Sequence, residues 1–304
     1  MILASHRRPE FTRPLKQRYD AWWIHQDMTL CIGALSQTVA PATFSECIVL
    51  CFDLQVSGVD GEFASETEYK LNVLNGNPVA LISGRLGRAK ELCAIYKSHL
   101  KNTTLTEDNL LDRMREPPGI IKGRLAEAYT QRCLAISYRD LLDRDENWIG
   151  KERRERYLSV IEQNKLGVDL IFAGFIDGKA VICELRDGEL DRMSNFSVIG
   201  SGSYTAEPAL HARGQTATTS LEDTLYNVYE AKRYAEKSPN VGAQTFIYVL
   251  YPPEQSEGNL VVKKITKDGY SYLRQRYRRF GPKPNVKWER LPDGSLESAH
   301  FGIK

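Results

Sequence analysis

Long hydrophobic runs are missing from this chain. None reaches the roughly 18 residues a helix needs to cross a bilayer. The most apolar stretches, VDLIFAGFI (168–176) and TFIYVLY (245–251), have the length of strands. Metal-type cysteine spacing is missing too. The six cysteines (Cys31, Cys47, Cys51, Cys93, Cys133 and Cys183) form no CxxC pair and no Cys/His cluster with zinc-ligand spacing. Cys31, Cys51 and Cys183 sit inside apolar runs, so they are expected to be small buried hydrophobes in a reducing compartment. Strong charge of either sign is absent: the net charge is +2, which gives no reason to expect nucleic acid or an anionic membrane as partner. Residues 1–27 carry Arg7, Arg8, Arg13, Lys16 and Arg18 but lack the apolar core of about 7–15 residues that marks a signal peptide. A cytoplasmic protein is the expectation. There is no internal repeat and no low-complexity tract.

What remains is an ordinary globular composition. The chain has 304 residues, 42% hydrophobic and 26% charged, enough for one large domain with extensions or two smaller ones. The first 27 residues mix Pro, Arg and two Trp without helical or strand periodicity and are taken as an extension outside the fold. From residue 28 the texture changes. MTLCIGALS (28–36) and CIVLCFDLQV (47–56) predict two strands, joined through a loop containing Pro41 that is longer than the usual 2–5 residues of a hairpin. Residues 62–68 form an acidic loop. KLNVLNG and PVALISG predict two short strands around an Asn75-Gly76-Asn77-Pro78 turn.

Helical spacing begins at RLGRAKELCAIYKSHLK (85–101), where Leu86, Ala89, Leu92, Cys93, Tyr96 and Leu100 share one face. A second helix is predicted over about 120–143, after Pro117-Pro118-Gly119, and a charged one over 151–164. GVDLIFAGFI and KAVICELR then form a hairpin about Asp177-Gly178. SNFSVIGSGSYTAEPALHA holds a strand, a Gly/Ser turn and a helix start. Ser220-Leu221-Glu222-Asp223 is a capping box opening a helix to about Lys237, with Leu221, Leu225, Val228 and Ala235 inward. VGAQTFIYVLY and LVVKKIT are the last strands, followed by the basic stretch YSYLRQRYRRFGPKPNVKW. Strands come in hairpins and helices in runs between them, which is an α+β arrangement rather than the alternation of a doubly wound sheet. Two antiparallel sheets covered by helices would bury these strand faces.

The ordered set MTLCIGA, IVLCFD, YKLNVLNGNPVALISG and a helix resembles the opening of bacterial proteasome-like peptidases and the heat-shock-locus peptidase, members of the proteasome-type N-terminal-nucleophile (Ntn) hydrolases. IGSGSYTAEPAL resembles the family's Gly-Ser-Gly turn, and SLEDTLYNVYEAKRYAEKSPNVGAQTFIYVL resembles its following helix and strand. The resemblance covers about residues 28–251, with an insertion at roughly 103–160. It implies a four-layer αββα sandwich of two antiparallel sheets flanked by helices, over a domain of residues 28–281 followed by a tail at 282–304.

The resemblance also implies a chemistry. A threonine hydroxyl is a weak nucleophile and needs a base. In this family the base is the α-amino group of the same residue, which titrates near neutrality in peptides. A neighbouring lysine ammonium disfavours a second positive charge there, and a carboxylate holds the lysine. By resemblance the nucleophile is Thr29, the lysine Lys70 and the carboxylate Asp53. Backbone N–H groups of Ser83-Gly84 would stabilise the oxyanion, and Ser201 matches the helper serine of the Gly-Ser-Gly turn. Taken singly, each has a bland reading: a threonine at a strand start, an aspartate at a strand end, a solvated lysine, a structural turn serine. Two positions depart from the family pattern, since Ser238 and Val241 stand where the family often has Asp and Ser before the late Gly-Gly, here Gly242-Ala243. An α-amino base further requires that Thr29 be the first residue. Because Met28 precedes it, the expectation is a translation start at Met28 with removal of that methionine, residues 1–27 being an upstream over-assignment.

The resulting expectation is a threonine-type hydrolase of peptide or other amide bonds, needing no metal or organic cofactor. It would act on a peptide or protein substrate and assemble as a homo-oligomeric ring. The family resemblance allows an ATP-dependent unfoldase as partner. A catalytically inactive scaffold subunit of the same fold is the alternative. A third reading is a nucleic-acid-binding module using residues 263–288, where Arg274, Arg276, Arg278, Arg279, Lys283 and Lys287 interleave with aromatics. The competing and favoured reading of that stretch is an amphipathic terminal helix.

Overall fold

The computed structural model describes residues 29–40, 43–54, 56–57, 64–65, 70–143, 148–238, 241–253 and 260–282. The expectations for residues 1–27 and for the tail from 283 lie outside the described residues. Two compact units make up the chain, Met1–Ile265 and Thr266–Lys304.

In the first unit, ten strands form two antiparallel five-stranded sheets. Sheet one contains β1 (Cys31–Ala40), β2 (Thr43–Phe52), β10 (Phe196–Ile199), β11 (Phe246–Tyr251) and β12 (Val261–Lys264) in the order β10-β1-β2-β11-β12. Sheet two contains β5 (Leu71–Val73), β6 (Val79–Gly84), β7 (Val168–Ile176), β8 (Lys179–Arg186) and β9 (Glu189–Met193) in sequence order. A small ribbon pairs β3 (Val56–Ser57) with β4 (Ala64–Ser65), the latter inside the stretch expected to be an acidic loop.

Period-two alternation assigns the faces. Cys31, Leu35, Ile48, Leu50, Phe52, Tyr248 and Leu250 of sheet one pack against Val79, Leu81, Ile171, Ala173, Phe175 and Ile182 of sheet two. The other face of sheet two, with Ala80, Ile82, Leu170, Phe172, Cys183 and Leu185, lies against α1 (Leu86–His99) and α2 (Leu110–Leu134) through Leu92, Tyr96, Met114 and Ile121. α5 (Ser203–Ala212) and α6 (Leu221–Ala235) cover the outer face of sheet one. Helix, sheet, sheet and helix layers therefore stack in that order, each fully buried Leu, Ile or Phe contributing about 1.5–3 kcal/mol. The remaining helices of this unit are α3 (Tyr138–Asp143) and α4 (Lys151–Glu162). The second unit contains α7 (Lys267–Phe280), capped by the Thr266 hydroxyl, which accepts from the Gly269 N–H.

Local signals account for many boundaries. Asp177 and Gly178 both have positive φ and close the β7–β8 hairpin between Ile176 and Lys179. The Ser220 hydroxyl accepts from the Asp223 N–H at 3.1 Å, as its capping box predicts. Other features differ from the sequence-based expectation. The β1–β2 ladder continues to the pair Ala40 and Thr43, so the connection is short, not long; Gln37 and Thr38 end the apolar run but keep pairing, because backbone ladders do not require apolar side chains. β9 has polar sequence ELDRM and was not anticipated; it is an edge strand that extends the sheet through a second positive-φ turn at Asp187-Gly188. α2 starts at Leu110, not near 120, and runs through Pro117 and Pro118. Pro118 has no N–H to give the Met114 carbonyl one turn back. The Tyr96 hydroxyl supplies that bond instead, at 2.6 Å.

Candidate functional site

The register of sheet one gathers the first cluster. Cys31 pairs with Phe52 on one side and Ile199 on the other. Two residues before Cys31, Thr29 must then lie beside the chain leaving β2 at Asp53 and the chain leaving β10 at Ser201. Sheet two brings Lys70, just ahead of β5, to the same end: the Lys70 carbonyl accepts from the Ile82 N–H at 3.2 Å, and the Ile82 carbonyl accepts from the Cys31 thiol at 3.4 Å. The two sheets are thus joined where Thr29, Asp53 and Lys70 meet.

These three side chains form one hydrogen-bonded, almost water-free group: Thr29 is 3% exposed, Asp53 0% and Lys70 3%. The Lys70 ammonium donates to Thr29 Oγ1 and to Asp53 Oδ1. The Thr29 hydroxyl donates to Asp53 Oδ1 at 3.1 Å. Asp53 Oδ1 also accepts from the Leu30 N–H at 3.3 Å, and Oδ2 accepts from the Gly242 N–H at 2.8 Å. A buried carboxylate facing one cation and three neutral donors is well compensated for its loss of water. Chemically, a hydroxyl held between an ammonium and a carboxylate has a cation at the oxygen on which negative charge would develop.

The backbone of Thr29 is clamped by the turn after β10. Its N–H donates to Ser201 Oγ at 3.2 Å, and its carbonyl accepts from the Gly202 N–H at 3.2 Å. Gly200 has φ +91°, and a Cβ there would stand 2.3 Å from the Thr29 carbonyl oxygen. Only glycine permits this approach, which explains the first glycine of the Gly-Ser-Gly string.

Thr29, Asp53, Lys70 and Ser201, all singled out from the sequence, are therefore brought into one bonded cluster. Ser83 and Gly84 are placed nearby but are not part of it. They end β6 one and two residues beyond Ile82, and among the described residues no hydrogen bond links either to the other four. Gly84 has φ +90°, where a Cβ would meet the Gly167 carbonyl at 2.5 Å. Ser83 stands opposite Asp169 of β7, whose carboxyl pKa is raised by burial against the opposing Asp187 N–H. Burial pushes the Cys31 thiol up to about 12 despite the opposing Lys70 charge, so this cysteine is a neutral neighbour and not a competing nucleophile.

Two participants were not read from the sequence. One is the Gly242 N–H. The other is Lys232 of α6, 0% exposed, whose ammonium donates to the Gly242 carbonyl at 2.6 Å and to Glu236 Oε1 at 2.7 Å. A signal for it existed. Residues 221, 225, 228 and 235 follow the spacing of an apolar helix stripe, and position 232 completes that spacing with a lysine. On α6 itself Leu221 and Leu225 are only half-buried, while Thr224, Asn227 and Lys232 join Val228 and Ala235 inside. Among the described residues no group of three or more His, Cys, Asp or Glu side chains is placed to hold a metal ion, and no helix is long and apolar enough to cross a membrane. Ser238 and Val241 precede Gly242, with Val241 buried against the Gly200–Gly202 turn.

No family model matches the chain, and no curated protein matches it.

Proposed function

We propose that this chain is a threonine-type N-terminal-nucleophile hydrolase of the proteasome-like kind, cleaving peptide or other amide bonds. The observation that carries the reading is the buried contact of one lysine ammonium and one aspartate carboxylate with the same threonine hydroxyl. The stacking of two antiparallel sheets between helix layers supports it.

In a chain that begins at Thr29, the α-amine occupies the position of the nitrogen now bonded to Ser201 Oγ. That amine takes the hydroxyl proton, the Lys70 ammonium beside Oγ1 favours both the neutral amine and the developing alkoxide, and Oγ1 attacks the substrate carbonyl carbon. Negative charge moves to the carbonyl oxygen, for which the backbone at Ser83-Gly84 is the candidate donor. Collapse breaks the C–N bond as the ammonium of Thr29 returns its proton to the leaving amine. Water then hydrolyses the ester, its proton passing through the same amine. Asp53 holds Lys70 and the start of β1 in register throughout. A homo-oligomeric ring belongs to this reading.

The test compares amide turnover by protein beginning at Thr29, by its Thr29→Ala variant and by the full-length chain. Turnover by the first alone is expected, because only it has both hydroxyl and free amine. Equal rates in all three would end the proposal. Folded protein that is inactive in every form would favour the second reading, a scaffold subunit, as would a native protein that retains residues 1–28.

A further inference from the structure

We propose that Lys232 is a positioning residue for the Thr29 site, a role that rests on the hydrolase reading and extends it to a part of the molecule outside the reacting group. The path is short and fully bonded. Arg233 and the Thr245 hydroxyl donate to Glu236, the latter at 3.3 Å. Glu236 accepts from Lys232 at 2.7 Å, and Lys232 donates to the Gly242 carbonyl at 2.6 Å. The Gly242 N–H then donates to Asp53 Oδ2 at 2.8 Å, and Asp53 Oδ1 holds Lys70 and the Thr29 hydroxyl.

Gly242 is the weak point that makes such an anchor necessary. A glycine has the least restricted φ and ψ, so its own backbone preference does not aim its N–H. Lys232 holds the Gly242 carbonyl on one side, and the Ser238 carbonyl holds the Val241 N–H at 3.3 Å on the other, so both peptides flanking the Gly242 N–H are anchored. That N–H donates to Asp53. The same loop bears on Thr29 a second time, since a Cβ on Gly202 would stand 2.8 Å from Val241 Cγ2, and the Gly202 N–H holds the Thr29 carbonyl.

A simpler role, complementing the C-terminal end of α6, does not account for the burial. A lysine in the last turn can do that from the surface, whereas Lys232 is 0% exposed in a stripe position that pattern alone would fill with an apolar side chain. A buried ammonium is tolerated when it is paired and hydrogen-bonded, and Lys232 has both a carboxylate and a carbonyl to donate to.

The test uses Lys232→Met, which keeps the volume and removes the donor, and Glu236→Gln, which keeps the shape and weakens the anchor. In the full-length chain, glycine-labelled NMR reads the Gly242 amide proton. In the chain beginning at Thr29, mass spectrometry and kinetics read acylation of Thr29 by a β-lactone, with kcat and KM for an amide substrate. Lys232→Met is expected to slow acylation and kcat by about ten- to a hundredfold through misplacement of the site, with KM unchanged, and to speed exchange of the Gly242 amide. Glu236→Gln moves both in the same direction by less, and carries the test if Lys232→Met does not fold. Folded variants with wild-type acylation and kcat overturn the inference. If wild-type protein forms no Thr29 adduct, the hydrolase reading fails instead, and the NMR arm still decides the anchor: an unmoved Gly242 amide overturns it.

Discussion

The Asp53–Lys70 pair can be tested by a double-mutant cycle on stability, independent of any substrate. Asp53→Asn leaves a lysine that is 3% exposed without its counter-charge, retaining the Thr29 hydroxyl oxygen as acceptor. Its amide also cannot accept at both ends, so either the Leu30 N–H or the Gly242 N–H faces another donor. Breaking a buried pair from one side costs about 3–5 kcal/mol. Lys70→Met removes the cation but leaves the carboxylate its Leu30, Gly242 and Thr29 donors, which places its cost near the lower end of that range, about 3 kcal/mol. The double variant has no charge left at the pair, and its remaining cost is one mismatched N–H, about 1–3 kcal/mol. The two single costs should therefore exceed the double by several kcal/mol, read as unfolding free energies from urea titrations followed by circular dichroism. If single and double costs add to within about 0.5 kcal/mol, the side chains do not interact as described, and the site built on them falls with them.

The Tyr96–Pro118 arrangement predicts its own cycle. Tyr96→Phe strips the Met114 carbonyl of its partner and should cost about 1–3 kcal/mol, whereas the same change made on Pro118→Ala, which restores a helical N–H to that carbonyl, should cost clearly less; equal costs in both backgrounds would show that the carbonyl was not waiting on the tyrosine. Stability should also fall with rising pH above 9. An ordinary thiol ionises near 9.0, while burial holds Cys93 and Cys183 protonated to about 11, so between those values the folded chain keeps protons that the unfolded chain has lost. The loss by pH 11 is roughly 2–3 kcal/mol per thiol, and a urea midpoint that stays flat from pH 9 to 11 would contradict it.

The elements that were legible from sequence are those set by neighbours along the chain. Asp177-Gly178 and Asn75-Gly76 supply the positive φ their turns need, the Ser220 hydroxyl caps α6, and short continuous apolar runs mark β1, β2, β7 and β8. Elements whose stabilisation comes from elsewhere were not legible. β9 is polar because it lies at a sheet edge. α2 passes through two prolines because a tyrosine from another helix replaces a missing backbone donor.

For the candidate site the division is sharper. The sequence by itself determined the residue types: a threonine before one strand, an aspartate after the next, a lysine before a third and a Gly-Ser-Gly turn. Thr29, Asp53, Lys70 and Ser201 were named only through a family resemblance in their order along the chain. Only the tertiary structure decided that they touch, because strand register at one end of two sheets is what closes the distances. It alone also brought in Gly242, 189 residues from Asp53, and behind it Lys232. The physical reason is that a backbone N–H has no sequence signature. Its direction depends on φ and ψ, and the buried lysine that holds the neighbouring carbonyl is visible as a partner only once the helix that bears it is packed.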